Sequence, residues 1–278
     1  MKRVAILVTL FFIQTNSSLF SYDNLLFKPL TANHLESRIG FYYQPTNEKV
    51  RLDIGHSLDM LDILNYKLPH KDSKLNIRLG GDFFILSRLR SEGNMKFPVE
   101  TSDFYFGLNC SGKFSGDCDC LINKLSYRIR VGHISAHLVD GYTKDYVFLQ
   151  EPFVYSREFV DLVIAINTKY FRPYIGTTAV FHTIPSDANT IIPQIGIDFD
   201  YPIFLYKVNI IGGYDFKING NTEQANVGCN SIQLGLLFNL SKNIGISANY
   251  YYYNGNSIHG MFYDTKEKYN GFGIQINY

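Results

Sequence analysis

The segment GHISAHLVD, from Gly132 to Asp140, holds the residue types that most suggest chemistry in this sequence. His133, Ser135 and His137 stand at every second position, so they share one face if the segment is an extended strand. A histidine within hydrogen-bond reach of a serine can take the hydroxyl proton, which makes that oxygen a nucleophile. These three residues are therefore candidate catalytic residues. The alternative, which the sequence favours, is a solvated polar strand end that bonds to neighbouring loops.

The cysteines suggest structural chemistry instead. Cys110, Cys118 and Cys120 lie close together in the sequence, and Cys229 lies far from them. In an oxidising compartment this spacing favours a disulfide over a metal site, for instance between Cys110 and either Cys118 or Cys120. No phosphate-binding glycine loop, zinc signature or basic patch stands out. We therefore expect no cofactor, no metal and no nucleic-acid partner.

The N-terminus has the three parts of a secretory signal peptide. Lys2 and Arg3 precede an apolar run from Val4 to Ile13, and a short polar stretch follows up to a cleavage site near Ser21. The apolar run is too short to cross a bilayer, which takes about 20 residues. We predict a signal peptide over residues 1–21 and a single mature domain over residues 22–278.

Composition narrows the class of exported protein. The 278 residues include 21 Tyr, 22 Phe and 22 Gly, and the formal net charge is +1. Aromatic residues gather where membrane proteins meet lipid headgroups, so this balance fits an outer-membrane barrel. A soluble β-sandwich could share the composition, and the periodicity has to decide between the two.

The C-terminal segment alternates up to the last residue. Its hydrophobic side chains stand at every second position, which resembles the C-terminal assembly signal of outer-membrane barrels: Phe272, Ile274, Ile276 and Tyr278. Similar alternation upstream predicts twelve strands, near 38–44, 49–56, 74–86, 102–109, 124–134, 156–167, 171–182, 191–200, 203–214, 230–240, 243–253 and 268–278. An even number suits a barrel with both chain ends in the periplasm.

Loop lengths support the same arrangement. The predicted periplasmic turns NTK, DYP and SKN are short, whereas opposite loops such as 88–101 and 254–268 are long. Two long connections, near 57–73 and 110–123, fall on the side of the short turns, so fourteen strands are the alternative. The fold class is thus an all-β, transmembrane antiparallel barrel of about twelve strands.

Charged residues fall mainly on the polar face of these strands. An arginine on the lipid side would cost about 2–4 kcal/mol at the bilayer midplane, so we predict that these residues line the lumen. They are Arg38, Arg51, Asp53, Arg78, Asp82, Asp103, Arg128, Arg130, Arg157, Asp161, Arg172 and Asp198. Arg–Asp pairs would stiffen a closed barrel, whereas a net positive lining would favour an anion pore. The closed barrel is preferred because twelve strands leave little room once long side chains fill them.

Three segments together resemble a bacterial outer-membrane barrel family known only as domain of unknown function 1207. They are FKPLTANHLESRIG at 27–40, GHISAHLVD at 132–140 and EPFVYSREF at 151–159. The family pattern in the second segment reads H-x-S-S-H-L-G-D, and here Ala136 and Val139 replace the second Ser and the Gly. The resemblance implies a barrel in the cell outer membrane, and it carries no mechanism.

The spacing of His133 and Ser135 also looks like that of outer-membrane phospholipases and lipid A deacylases. Continuing the alternation of this strand places both side chains on the lipid side, where a lipolytic site would have to be. Those enzymes carry an Asn-type partner around the motif, and the sequence offers no obvious candidate for one.

Three functions follow as hypotheses. The first is a porin-like narrow pore or a plugged structural barrel, the second a lipid hydrolase, and the third an adhesin whose loops expose aromatics such as Phe262 and Tyr263. In each case we expect a monomer that contacts outer-membrane lipid and is inserted by the barrel-assembly machinery.

Overall fold

The computed structural model describes residues 25–68, 73–116, 120–204, 207–221, 226–241 and 244–277. The predicted signal peptide and Tyr278 lie outside these ranges. Within them the strands are β1 Ile39–Gln44, β2 Lys49–Lys67, β3 Ser73–Arg90, β4 Val99–Gly116, β5 Leu125–Leu138, β6 Thr143–Lys144, β7 Val147–Phe148, β8 Tyr155–Ile166, β9 Phe171–Ile184, β10 Ile191–Phe204, β11 Val208–Asn219, β12 Val227–Asn239, β13 Gly245–Asn256 and β14 Lys266–Asn277.

Twelve of these strands form one closed antiparallel barrel, and β6 and β7 form a small hairpin in the connection from β5 to β8. Neighbours in the sequence are neighbours in the barrel, and β14 closes it by pairing with β1. At this seam Ile39 lies opposite Ile54 of β2 on one side and Ile276 of β14 on the other. The prediction of a twelve-stranded all-β barrel is confirmed.

The period-two alternation decides which side chains face outwards. In β10, Ile195 and Ile197 are exposed on the outer wall, whereas Gln194 and Asp198 are buried inside. Phe272, Ile274 and Ile276 of β14 are likewise exposed. An apolar outer wall around a polar interior is what contact with lipid requires of a barrel.

Where the structure describes them, the two long connections contain no additional strand of the barrel. β2 and β3 continue as a long hairpin in which Lys67 pairs with Lys74, and β4 runs on to Gly116. In β2 the register shifts between Asp59 and Leu61 and again further on. Such bulges break the period-two pattern, so the alternation appeared to end early.

One predicted turn was wrong. The tripeptide DYP belongs to β10, which continues to Phe204, with a register shift between Pro202 and Phe204. Proline is tolerated at such a bulge, so Pro202 marks an irregularity and not the end of the strand. The turns at 167–170 and 240–244 connect strands as predicted.

The barrel has two unlike ends. We call the end where the chain enters β1 and leaves β14 the terminal end. Its turns are short, except for the β2–β3 hairpin and the connection at 117–124. The loop end carries the longer connections at 91–98, 139–154 and 257–265. This asymmetry is typical of outer-membrane barrels, whose external loops are the longer ones.

Residues 25–38, called the plug below, lie inside the barrel before β1 begins. Phe27 and Leu30 are buried against Val163, Ala165 and Tyr174 of the wall. The Phe27 ring also lies under two guanidinium groups from β5 and β9, at 4.9 and 5.4 Å from its centroid. Apolar, cation–π and main-chain contacts together hold this segment in the lumen.

Glu36 of the plug is the charge around which the interior is arranged. Arg128 donates two hydrogen bonds to its carboxylate, of 2.9 and 2.5 Å, and Arg130 lies 3.7 Å from Oε2. Burial alone would raise the pKa of Glu36, but the two arginines outweigh it and hold the pKa below the ordinary value of 4.5. All three side chains are at most 2% exposed. Removing the carboxylate would leave two buried cations with too little negative charge.

We predict that Glu36→Gln destabilises the folded barrel by about 3 kcal/mol, the usual effect of breaking a buried ion pair. The measurement is urea unfolding of the protein refolded in detergent micelles. Because the pKa of Glu36 is lowered by folding, its stabilising effect is present above about pH 4.5 and is lost as the pH falls through the lowered value.

Glu92→Gln is the matched control. Glu92 forms a 2.7 Å ion pair with Arg90, and its side chain is 42% exposed, so its loss should change stability by less than about 1 kcal/mol. Equal effects of the two substitutions would mean that the plug does not stabilise the fold.

Candidate functional site

The structure places nearly all of the predicted lumen residues inside the barrel. Those that are buried are Arg38, Arg51, Asp53, Asp82, Asp103, Arg128, Arg130, Asp161 and Asp198. Arg172 is partly exposed and reaches the plug, and Arg157 lines an internal cavity. Arg78 lies nearer the terminal end, where it donates a 2.6 Å bond to Asp62.

These charges are paired with each other and with the plug. Arg130 lies 2.8 Å from Asp161, and Arg51 lies 2.9 Å from Asp53. Arg172 contacts Asp198 and also donates 2.8 Å hydrogen bonds to the carbonyl oxygens of residues 28 and 29 in the plug. Of the arginines that could have lined an anion path, Arg128, Arg130 and Arg172 therefore hold the plug, and Arg51 is paired with a carboxylate of the wall.

The plug lies beside two cavities among the described residues of the barrel. The larger, about 560 Å³, is at the terminal end and is lined by plug residues such as Leu30 and by Arg172 and Lys113. The smaller, about 70 Å³, lies towards the loop end between His34 of the plug and Ile258. Residues of the plug thus line both of these cavities.

The connection 257–265 covers the loop end of the lumen. Asp103 accepts a 2.6 Å hydrogen bond from the backbone N–H of Gly260 and lies 2.8 Å from Nδ1 of His259. Met261 and Phe262 are buried, and the Arg88 guanidinium lies 3.6 Å from the Phe262 ring centroid. The expectation that Phe262 is exposed for adhesion is therefore wrong, because it packs into the barrel mouth.

Tyr263 at the same rim is only partly buried. Its hydroxyl donates a 3.1 Å hydrogen bond to Asp187. Partial burial and this neighbouring carboxylate raise the pKa of Tyr263 to about 12, so the phenol stays protonated at neutral pH. It acts here as a hydrogen-bond donor that joins two loops.

The His-x-Ser segment lies in β5 near the loop end. Its buried neighbours Ile134 and Ala136 face the interior, so His133, Ser135 and His137 face the outer wall. Ser135 lies opposite Phe104 of β4 and Ser156 of β8. The candidate residues therefore share the lipid-facing side, where a lipid substrate could reach them.

A carboxylate that the sequence analysis missed completes this site. Glu158 of β8 lies opposite His133, and its Oε1 is 2.6 Å from His133 Nδ1. The same oxygen accepts a 2.8 Å hydrogen bond from the Ser156 hydroxyl, and Oε2 contacts Nδ1 of His182 in β9. We call His133, Ser135, Ser156, Glu158 and His182 the outer-wall cluster.

The cluster contains the nucleophile, base and carboxylate that a serine hydrolase needs, but the hydrogen bond between the serine and the histidine is not formed. Glu158 holds Nδ1 of His133, which leaves Nε2 as the nitrogen that could accept the Ser135 proton. Among the contacts of the described residues, Ser135 makes no hydrogen bond to His133. Catalytic hydrogen bonds are often loose without substrate and tighten when it binds.

His137 lies outside the cluster. Its ring packs 6.0 Å from the ring of Phe104, and it has no contact with Glu158. One sequence signal could have found Glu158: in EPFVYSREF, Ser156 and Glu158 share one face at the start of a strand, as His133 and Ser135 do at the end of theirs.

The cysteines are arranged differently from the expectation. Cys110 is a free thiol, and Cys120 is in a disulfide, while Cys118 lies outside the described ranges. Cys110 faces outwards in β4, six residues before the strand ends at Gly116. Because Cys110 is free, the expected disulfide from Cys110 is wrong. In the described part of the chain no group of His, Cys, Asp or Glu could hold a metal ion.

Comparison with solved structures identifies the architecture. Outer membrane phospholipase A from Escherichia coli aligns over 93% of this chain and 97% of that one, with 13% identity and a TM-score of 0.52. The Salmonella typhi outer membrane phospholipase dimer with bound calcium aligns over 92% and 96%, with 13% identity and the same TM-score. The β domain of the Bordetella autotransporter BrkA aligns over 87% and 97%, with 11% identity and a TM-score of 0.44. The two phospholipase alignments show that the chain has the fold of an outer-membrane β-barrel.

Sequence comparison gives a family without an activity. No curated protein matches the chain. In the ranges that the structure covers, no helix is long and apolar enough to cross a membrane. A family described as protein of unknown function (DUF1207) matches residues 72–278, which is most of the chain and includes the whole outer-wall cluster. The chain belongs to the DUF1207 family.

Proposed function

We propose that this protein is a closed outer-membrane barrel, delivered by the N-terminal signal and inserted as a monomer by the barrel-assembly machinery. Its loop end would face the exterior, and lipid would cover the outer wall. The fold shared with outer-membrane phospholipases and the exposed apolar side chains of the strands support this location. It is not an open diffusion pore.

The contact that carries this proposal is the one between Glu36 and the arginines of β5. Arg128 and Arg130 are used to bind the plug and are not available to passing anions. Releasing the plug would leave Arg128 without its carboxylate and Arg130 with Asp161 alone, which is costly in a space with little water. A stable open state is therefore unfavourable.

The refolded wild-type protein should show no steady conductance steps in a planar bilayer. Folding is checked separately by a gel mobility that changes on boiling. A double variant, Glu36→Ala with Arg172→Ala, removes bonds at both parts of the plug and should conduct intermittently, whereas Glu92→Gln should stay silent. Stable, anion-selective steps from the wild type would contradict the closed barrel.

A second function, favoured by the contact between Glu158 and His133, is hydrolysis of acyl esters in membrane lipids. Ser135 would attack the ester carbonyl while His133 Nε2 takes the hydroxyl proton, with Glu158 holding Nδ1. The alcohol part of the lipid would leave with that proton, giving an acyl-serine. Water would then attack the acyl-serine, pass a proton to His133 and release the fatty acid as Ser135 recovers its proton.

The position of the cluster suits this substrate class. Ser135 lies on the outer wall near the loop end, beside exposed apolar residues such as Phe106, Val131 and Phe181. An acyl chain could lie along this wall with its ester at the height of the hydroxyl. The Escherichia coli protein of the same fold is an outer-membrane phospholipase, which makes an acylated lipid the first substrate to test.

Ser135→Ala should lower fatty-acid release from mixed phospholipid–detergent micelles by about 10³-fold or more, because the nucleophile is lost. Ser87→Ala is the matched control: Ser87 is a serine of β3 whose hydroxyl bonds to Ser102, at 2.8 Å, and it belongs to no part of the cluster. Its release rate should match that of the wild type. If Ser135→Ala retains the wild-type rate, Ser135 is not the nucleophile.

A further inference from the structure

Glu158 occupies the centre of a polar row that crosses three strands. It pairs in register with His133 of β5 on one side and with His182 of β9 on the other. Oε1 contacts His133 and accepts from Ser156, and Oε2 contacts His182. Both carboxylate oxygens are therefore engaged, although the side chain is on the outer wall.

An irregularity in β9 brings His182 into this row. Phe159 of β8 pairs with Val180, and the next pair along is Glu158 with His182, so Phe181 is an extra residue in β9. In a regular ladder Glu158 would lie opposite Phe181. Bulges are frequent next to active sites, where they redirect a side chain. Here the bulge exchanges an aromatic neighbour of Glu158 for an imidazole.

We propose that His182 is a positioning residue, which through Oε2 keeps Oε1 of Glu158 turned towards His133. The proposal rests on the hydrolase function given above and assigns a role to a residue of the same site. A glutamate has three rotatable bonds, and ordering it costs side-chain entropy unless partners hold it. His182 and Ser156 are the two partners that fix the carboxylate while His133 uses it.

The consequence for His133 concerns its tautomer. A fixed Oε1 at 2.6 Å favours a proton on Nδ1 and leaves Nε2 as the acceptor, which is the form that a general base needs. Without His182 the carboxylate can rotate away, and the two neutral tautomers become mixed. The competing explanation is that His182 and Glu158 form only a surface ion pair, with side chains that are 56% and 26% exposed. Such a pair would contribute little to stability and would not affect the tautomer of His133.

The test compares two substitutions of His182 in the refolded full-length protein. His182→Phe removes the N–H donor, and His182→Asn keeps an amide N–H at a similar position. We expect His182→Phe to lower kcat about tenfold with KM within about twofold, since misplacing a catalytic group affects the chemical step. His182→Asn should recover activity to within about threefold of wild type. Thr183→Ser, at the next position of β9, controls for disturbance of the strand and should leave kcat unchanged, because serine keeps the hydroxyl that donates a 3.1 Å hydrogen bond to the Pro185 carbonyl.

The second readout does not depend on turnover. Nitrogen-15 NMR of labelled histidine reports whether His133 carries its proton on Nδ1 or Nε2. In the wild type and His182→Asn we expect the Nδ1–H form, and in His182→Phe a mixture, with unchanged gel mobility showing that the barrel is folded. The same mixture is expected for Glu158→Gln, where the carboxylate itself is lost.

The outcomes separate the two proposals. If no lipid is hydrolysed but the His133 tautomer depends on His182, the hydrolase is wrong and the positioning role stands. If hydrolysis requires Ser135 while His182→Phe changes neither kcat nor the tautomer, the positioning role is overturned. A loss of kcat that His182→Asn fails to restore also overturns it.

Discussion

The interior of this barrel depends on the pairing of buried arginine side chains with negative charge. A guanidinium group taken out of water is unfavourable unless a carboxylate and further hydrogen bonds compensate for it. Two of these arginines, Arg128 and Arg130, come from β5. Asp161 of the next strand is paired with Arg130, so Arg128 needs another carboxylate. Glu36 supplies the missing charge, and it can do so only because the plug lies inside. The position of the plug in the lumen satisfies this requirement for charge balance.

The outer wall follows the opposite rule, with a marked exception near the loop end. Apolar side chains cover nearly all outward positions of the strands, as contact with lipid demands. Near the loop end of β5, β8 and β9, two histidines, two serines and a glutamate occupy outward positions instead. Both histidines and Ser156 are joined through the carboxylate of Glu158. Polar groups on a lipid-facing wall are unfavourable, and that makes this cluster the part of the barrel whose chemistry most needs explaining.

Most of the architecture was predictable, because one face of each strand meets lipid and the other does not. That difference gave the twelve strands, the closing β14 and the inward charges. The predictions failed where the alternation is interrupted. The bulges of β2 made the strand look shorter than it is, and Pro202 led us to predict a turn within β10. The plug has no alternation at all, so nothing in its pattern placed Glu36 in the lumen.

The candidate site was only half predictable for a related reason. His133 and Ser135 share a strand, so their spacing is visible in the sequence, whereas Glu158 and His182 reach them from other strands. The partner 25 residues away becomes apparent only once the register of β5 with β8 is known. In addition, His182 lies opposite Glu158 only because of a bulge in β9, which the period-two alternation does not predict. Contacts between strands depend on register, and register is the property that a single sequence specifies least.

The plug and the seam of the barrel are one stretch of chain. Arg38 ends the plug, and the next residue, Ile39, pairs with β2 and with β14 to close the wall. A lid made of a distant loop can swing aside without disturbing the wall that surrounds it. Here any force that draws the plug out of the lumen pulls on the strand that closes the cylinder. Access to the interior and the integrity of the wall are therefore mechanically linked through a single peptide bond.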